Sequence, residues 1–202
     1  MSTLLLATNN QGKMVEIQVL LQGLALQLVT PAHLGLGLNV IEDGQTYAEN
    51  AARKASAFAQ VARLVTLADD SGLEVDVLCG APGLYSARYS PKSGADDADR
   101  RAYLLAQLQE LPRPWIARFR CVIALAAPAG ELYFAEGICP GEVIPEERGE
   151  NGFGYDPIFL LPELGKTMAE LSMFQKNQLS HRARAIRAAI PLLRELFPRS
   201  GE

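Results

Sequence analysis

A chain of 202 residues, 49% hydrophobic and 21% charged, has the length and balance to bury a core as one large domain or two small lobes. A net charge of −4 without a basic stripe argues against a nucleic-acid polymer as ligand but suits a small anion held by a few placed cations. No apolar stretch reaches membrane-spanning length, and the N-terminal apolar run stops at Ala7 without a basic leader, so a cytoplasmic protein with no membrane partner is expected.

Residues 4–7 read as a buried strand. It feeds the polar loop Thr8-Asn9-Asn10-Gln11-Gly12-Lys13, and a helix follows to about residue 21, with Val15, Ile17, Leu20 and Leu21 apolar. Glu42-Asp43-Gly44 is a turn. Thr46 and Glu49 have capping-box spacing and open an alanine-rich helix to about residue 63. A short strand is expected at 64–68, with Asp69-Asp70-Ser71-Gly72 following at its end. After the loop Gly80-Ala81-Pro82-Gly83 comes a helix over 96–111. Strands at 116–126 and 131–138, joined by Pro128-Ala129-Gly130, form a hairpin. Residues 146–154 are loop, 157–161 a short strand, and 180–197 a terminal helix that Pro191 should kink or divide. This order predicts an α/β protein with a mixed sheet, in which the hairpin region could form a second lobe. Cys79, Cys121 and Cys139 lack metal-site or redox-pair spacing and fit reduced thiols.

Four places carry chemistry. A strand running through a polar loop into a helix start presents free backbone N–H groups to an anion, and Gly12, Thr8, Asn9 and Lys13 add access, donors and charge. A plain helix cap with an exposed lysine explains the same residues. The loop is not a Walker A sequence, because its first glycine is missing and Met14 stands where that motif has Ser or Thr. Asp69-Asp70 ends an apolar strand, where α/β sheets place ligands. Magnesium takes one or two carboxylates plus phosphate oxygens, which this pair could supply, and Glu42 could add another. One carboxylate could instead take a proton from water; a solvated turn is the bland alternative. Phe153-Gly154-Tyr155-Asp156 offers aromatic faces that could stack on a base, or it is a turn with core aromatics. Lys176, Ser180, His181 and Arg182 form a polar knot where the last helix begins.

Taken in order, these segments resemble the inosine triphosphate pyrophosphatase family. The matching stretches are residues 8–13 with Glu16, Glu42-Asp43-Gly44, Thr46 with Glu49-Asn50-Ala51, Ala68-Asp69-Asp70-Ser71-Gly72-Leu73, and Gly80-Ala81-Pro82-Gly83 with Tyr85-Ser86-Ala87-Arg88-Tyr89. They continue through Gly152-Phe153-Gly154-Tyr155-Asp156-Pro157-Ile158-Phe159 to Ser180-His181-Arg182, spanning nearly the whole chain. The resemblance implies an elongated two-lobed α/β fold with a central mixed, twisted sheet flanked by helices, a cleft between the lobes, and one pyrophosphatase domain over residues 1–202. It also implies a homodimer, dependence on Mg2+, and hydrolysis of inosine, deoxyinosine and xanthosine triphosphates to monophosphate and pyrophosphate. By position, Thr8, Asn9, Asn10, Gln11, Gly12 and Lys13 would hold phosphates. Asp70 would be proton acceptor and metal ligand with Asp69 assisting, and Glu42 the second metal carboxylate. Ser71, Phe153, Gly154, Tyr155, Asp156, Lys176, His181 and Arg182 would contact the nucleotide. An Arg182 or backbone donor aimed at the 6-oxo acceptor would leave adenine mismatched.

Overall fold

The apolar run near the N-terminus is a strand whose side chains are buried on both faces, as a central parallel strand requires. In the computed structural model, which describes residues 2–198, this is β1 (Ser2–Leu6). The other strands are β2 (Leu26–Val29), β3 (Val65–Val75), β4 (Trp115–Ala126), β5 (Leu132–Val143), β6 (Phe159–Leu161) and β7 (Lys166–Thr167). They form one seven-stranded sheet in the order β2-β1-β3-β4-β5-β6-β7. β1 pairs parallel with β2 and β3, whereas β6 pairs antiparallel with β5 and β7, so the sheet is mixed as expected. The helices are α1 (Gln11–Leu20), α2 (Tyr47–Ala62), α3 (Asp97–Leu108), α4 (Met173–Leu179) and α5 (His181–Leu196). None of them is long and apolar enough to cross a membrane.

The chain divides into two compact units. The first comprises Met1–Asp70, Cys121–Gly137 and Arg182–Glu202, and the second Ser71–Arg120 and Ile138–His181. Two-residue alternation sorts the first unit into two cores. Leu4, Leu6, Leu67, Cys121, Ile123 and Leu125 pack with Ile17 of α1 and with Ala185, Ile186, Ala189 and Leu193 of α5. Leu5, Ala7, Ala68, Ala124 and Ala126 face the other way, against α2. Ala51, Ala55, Phe58 and Ala59 make the contact on α2, a helical stripe whose small side chains let the helix lie close to the sheet. In the second unit, Leu104 and Leu108 of α3 pack with Leu73, Trp115, Phe119, Val143 and Phe159.

Several expectations change. The strand expected to stop at residue 68 runs unbroken through Asp69-Asp70-Ser71-Gly72 to Val75. α1 begins at Gln11, so Gln11, Gly12 and Lys13 form its first turn rather than a loop. Pro191 lies inside α5 and does not divide it. β5 extends five residues past the expected end at 138, to Val143. Residues 156–158, expected partly as strand, form a 3-10 turn ahead of β6.

Candidate active site

The continuous course of β3 decides how its two carboxylates are used. Adjacent strand residues point to opposite faces. Asp69 therefore continues the Leu67 face, towards α1 and α5, and Asp70 continues the Ala68 face, towards α2.

On the first face Asp69 is 1% exposed, and its Oδ2 lies 2.9 Å from Lys13 Nζ. Arg182, equally buried, directs Nη2 and Nε at the same oxygen from 3.3 and 3.4 Å and places Nη1 2.5 Å from Glu16 Oε2. Glu16 and Lys13 both lie on α1. The result is a row of alternating charge, Glu16, Arg182, Asp69 and Lys13, buried except at its Lys13 end. Burial pushes the Asp69 carboxyl up, but Lys13, then Arg182 and Lys54, outweigh it and hold the group well below the ordinary carboxylate range. Burial raises the Cys121 thiol to about 12, with nearby Asp69 adding to the effect, so this cysteine is inert. Cys79 and Cys139 are also free thiols, as composition suggested.

On the second face Asp70 Oδ2 accepts a hydrogen bond from Asn50 Nδ2 at 2.9 Å. Asn50 also receives the Gly44 N–H on Oδ1 at 2.8 Å. A Cβ at Gly44 would stand 2.7 Å from that oxygen, so glycine is required for this approach. One amide thus ties Asp70 to the Glu42-Asp43-Gly44 turn. Lys54, one helical turn after Asn50, pairs with Glu42 at 2.6 Å and reaches the Asp69 carbonyl at 3.3 Å. Burial raises the proton affinity of Asp70, opposed by the Asn50 hydrogen bond and by Lys13 and Lys54, and reinforced by Glu42. The two aspartates are driven in opposite directions, one fixed as an anion and the other made a better base.

The phosphate-loop candidates are partly used by their own backbone. Asn10 caps α1 by accepting the Lys13 N–H at 3.0 Å, and the Thr8 hydroxyl accepts the Asn10 N–H at 3.2 Å. Asn9 and Gln11 are exposed, and Gly12 and Lys13 are half-buried. All of these, with Glu42, Asp69, Asp70 and Arg182, belong to the first unit.

Ser71, Phe153, Gly154, Tyr155, Asp156, Lys176 and His181 belong to the second. Asp156 Oδ2 accepts from the Phe153 N–H at 2.9 Å and from Lys176 Nζ at 2.5 Å. The Lys176 ammonium lies 5.0 Å from the centre of the Phe153 ring. A side chain at Gly152, which has φ 78°, would collide with the Asp156 carboxylate. The Tyr155 hydroxyl donates to the Ser86 carbonyl at 2.9 Å, and the His181 ring stacks on Phe119 at 4.7 Å. Ser71 is half-buried on β3.

Three participants were not foreseen: Asn50 and Lys54 as polar partners, and Glu16 as a buried acid. Lys54 could have been found as one of few lysines, on the same helical face as Asn50. Glu16 is far from Arg182 in sequence, and no local pattern announces their pairing.

The Ham1 family model matches residues 4–192. A dITP/XTP pyrophosphatase of Desulforamulus reducens is 48% identical over 197 residues, covering 96% of this chain and 96% of the relative. A dITP/XTP pyrophosphatase of Geobacter sulfurreducens is 46% identical, covering 92% of this chain and 94% of its own. Among solved structures, a HAM1 protein from Coxiella burnetii matches with a TM-score of 0.88 at 38% identity, over 96% of this chain and 100% of that one. The Staphylococcus aureus Ham1 protein gives 0.85 at 39% identity, with the same coverage of each chain.

Proposed function

The chain belongs to the Ham1 family, and on that premise we propose that it hydrolyses the triphosphates of inosine, deoxyinosine and xanthosine to monophosphate and pyrophosphate, keeping these bases out of DNA and RNA. The observation that carries this reading is Asp70, a carboxylate only 8% exposed whose proton affinity is raised by burial while Asn50 fixes its orientation. Such a group suits the proton of an attacking water better than an exposed aspartate does.

In the proposed step, water oxygen bonds to the α-phosphorus, its proton passes to Asp70, and the bond from that phosphorus to the bridging oxygen breaks, releasing pyrophosphate. Lys13 meets the negative phosphate oxygens. Asp69 holds its ammonium from behind, so little reorganisation is needed as charge shifts during reaction. Glu16 and Arg182 fix Asp69 in turn. In this arrangement Arg182 acts as a positioning residue, pairing with both buried carboxylates and so holding Asp69 behind Lys13.

The donor set fits a hard divalent cation. Asp70 and Glu42 offer carboxylate oxygens, which magnesium accepts one or two at a time and completes with phosphate oxygens and water. No cluster of three or more His, Cys, Asp or Glu able to hold a metal occurs among the described residues, so substrate oxygens would complete the shell. Bound there, Mg2+ would offset charge on the triphosphate and on its leaving group.

The base is assigned to the loop at 153–156. Phe153 offers a face for stacking. Lys176 offers an ammonium that only donates, which suits the 6-oxo acceptor of hypoxanthine or xanthine and mismatches the 6-amino donor of adenine. The whole chain is read as one catalytic domain, cytoplasmic and homodimeric.

A panel of triphosphates tests the substrate. With magnesium saturating, kcat/KM for inosine and xanthosine triphosphates should exceed that for adenosine triphosphate by about a hundredfold or more. Equal efficiencies would contradict the assignment, and a preference for modified pyrimidines would move the enzyme to another substrate class.

A further inference from the structure

The second unit contains a brace that the hydrolytic step does not use. Gly152 and Gly154 flank Phe153 with φ 78° and 64°, both in the left-handed region. Glycine has the most conformational freedom to lose, so a peptide built this way is only as ordered as whatever holds it. Asp156 holds the Phe153 N–H, and α3 holds the Gly154 peptide that follows. Asp97, its first residue, accepts the Gly154 N–H at 2.7 Å. Arg101, one turn later on the same helical face, donates Nη1 to the Gly154 carbonyl at 2.8 Å. Both backbone groups of one glycine are therefore fixed by one face of one helix.

The brace is itself fixed. Arg101 uses Nε and Nη2 to fork the two oxygens of Glu147 at 2.8 and 2.9 Å, so its remaining Nη1 is delivered in a set direction. Asp97 pairs with Arg100. Burial opposes the Asp97 charge, but Arg100 and the Gly154 N–H outweigh it and lower the carboxyl's proton affinity, so the acceptor stays ionised. Arg101 is well covered, with a side chain 12% exposed.

We propose that Asp97 and Arg101 are positioning residues for base recognition, holding the Gly154 peptide so that the Phe153 ring stands ready for a purine face. This rests on reading the 153–156 loop as the base-binding segment. Without the brace, the glycine-flanked loop samples other conformations, and each binding event must restore the order. That loss bears equally on ground state and transition state, so it falls on KM and spares kcat. A merely structural brace would change thermal stability and leave KM alone.

The test uses the full chain with inosine triphosphate and magnesium. Arg101→Ala should raise KM by about tenfold with kcat held within about twofold. Arg101→Lys should recover part of the loss, because one ammonium can reach the Gly154 carbonyl or Glu147 but cannot fork both. An unchanged KM in Arg101→Ala, whatever happens to Tm, overturns the inference. Should Arg101→Ala fail to fold by circular dichroism, Glu147→Gln loosens the same arm; a KM rise of about threefold supports the brace, and none overturns it. Phe153→Ala separates the two levels. If it raises KM while the brace variants do not, the brace alone is wrong. If all leave KM unchanged, the base-loop reading fails and takes the inference with it.

Discussion

Asp70→Asn leaves the chain folded and lowers kcat by about 10²- to 10⁴-fold, the usual span for losing a general base. The substitution preserves shape, and the new amide oxygen can still accept from Asn50. What disappears is the ability to take a proton from water, together with a carboxylate ligand for the cation. Stability moves the other way. The folded carboxyl has a raised proton affinity whose largest cause is burial, so near neutral pH it is an anion that the fold disfavours. The neutral amide avoids that cost, and Tm should match or exceed the parent's. Steady-state kinetics and thermal unfolding on one preparation read both effects. A turnover within tenfold of the parent would remove Asp70 from the chemistry.

Arg182→Met has its large effect on stability instead. The arginine is 1% exposed and pairs with Glu16 and Asp69, which are 2% and 1% exposed. Removing the cation breaks its pairs with both buried carboxylates, and breaking a buried pair in this way costs about 3–5 kcal/mol. Lys13 remains 2.9 Å from Asp69, whereas Glu16 loses a guanidinium that stood 2.5 Å from its Oε2. Arg182→Lys should fall between, because an ammonium cannot span both carboxylates as the planar guanidinium does. Adding Glu16→Gln to Arg182→Met should recover part of the loss, which marks direct coupling. Urea unfolding near neutral pH measures all four proteins, parent included. A loss below about 1 kcal/mol in Arg182→Met would mean that the row is not a structural unit.

Much of the architecture was legible because apolar periodicity and turn chemistry acted locally. The apolar run at β1, the alanine-rich helix after Thr46, the hairpin at Pro128-Ala129-Gly130 and the mixed sheet all emerge from patterns shorter than twenty residues. The main departure came at Asp69-Asp70-Ser71-Gly72. Aspartate and glycine are depleted in strands, so local preference ends β3 at Ala68. The structure continues it because Leu73 and Val75 beyond the motif are fully buried, and their packing outweighs a few unfavourable residues. That difference has a chemical consequence: a turn could have set the two aspartates side by side, whereas a strand puts them on opposite faces with opposite shifts in proton affinity.

Pro191 shows the same contest. It forfeits one helical hydrogen bond. Yet Ala185, Ile186 and Ala189 before it and Leu193 after it belong to one core, and that shared face carries α5 through. The short β2, β7 and α4 lacked enough length for a periodic signal. For the site, the residue types and the ordered segments pointed to phosphate, metal and base. The row from Glu16 to Lys13 was not readable, because its pairing exists only once α1, β3 and α5 pack on one face of the sheet.

Cleavage between the α- and β-phosphates of a deaminated purine nucleotide distinguishes a pyrophosphatase from a terminal phosphatase. Product analysis with inosine triphosphate and magnesium tests it most directly. Inosine monophosphate and pyrophosphate should appear in equal amounts from the first turnover, with no orthophosphate. Inosine diphosphate with orthophosphate would contradict it, because the attack would then fall on the terminal phosphorus.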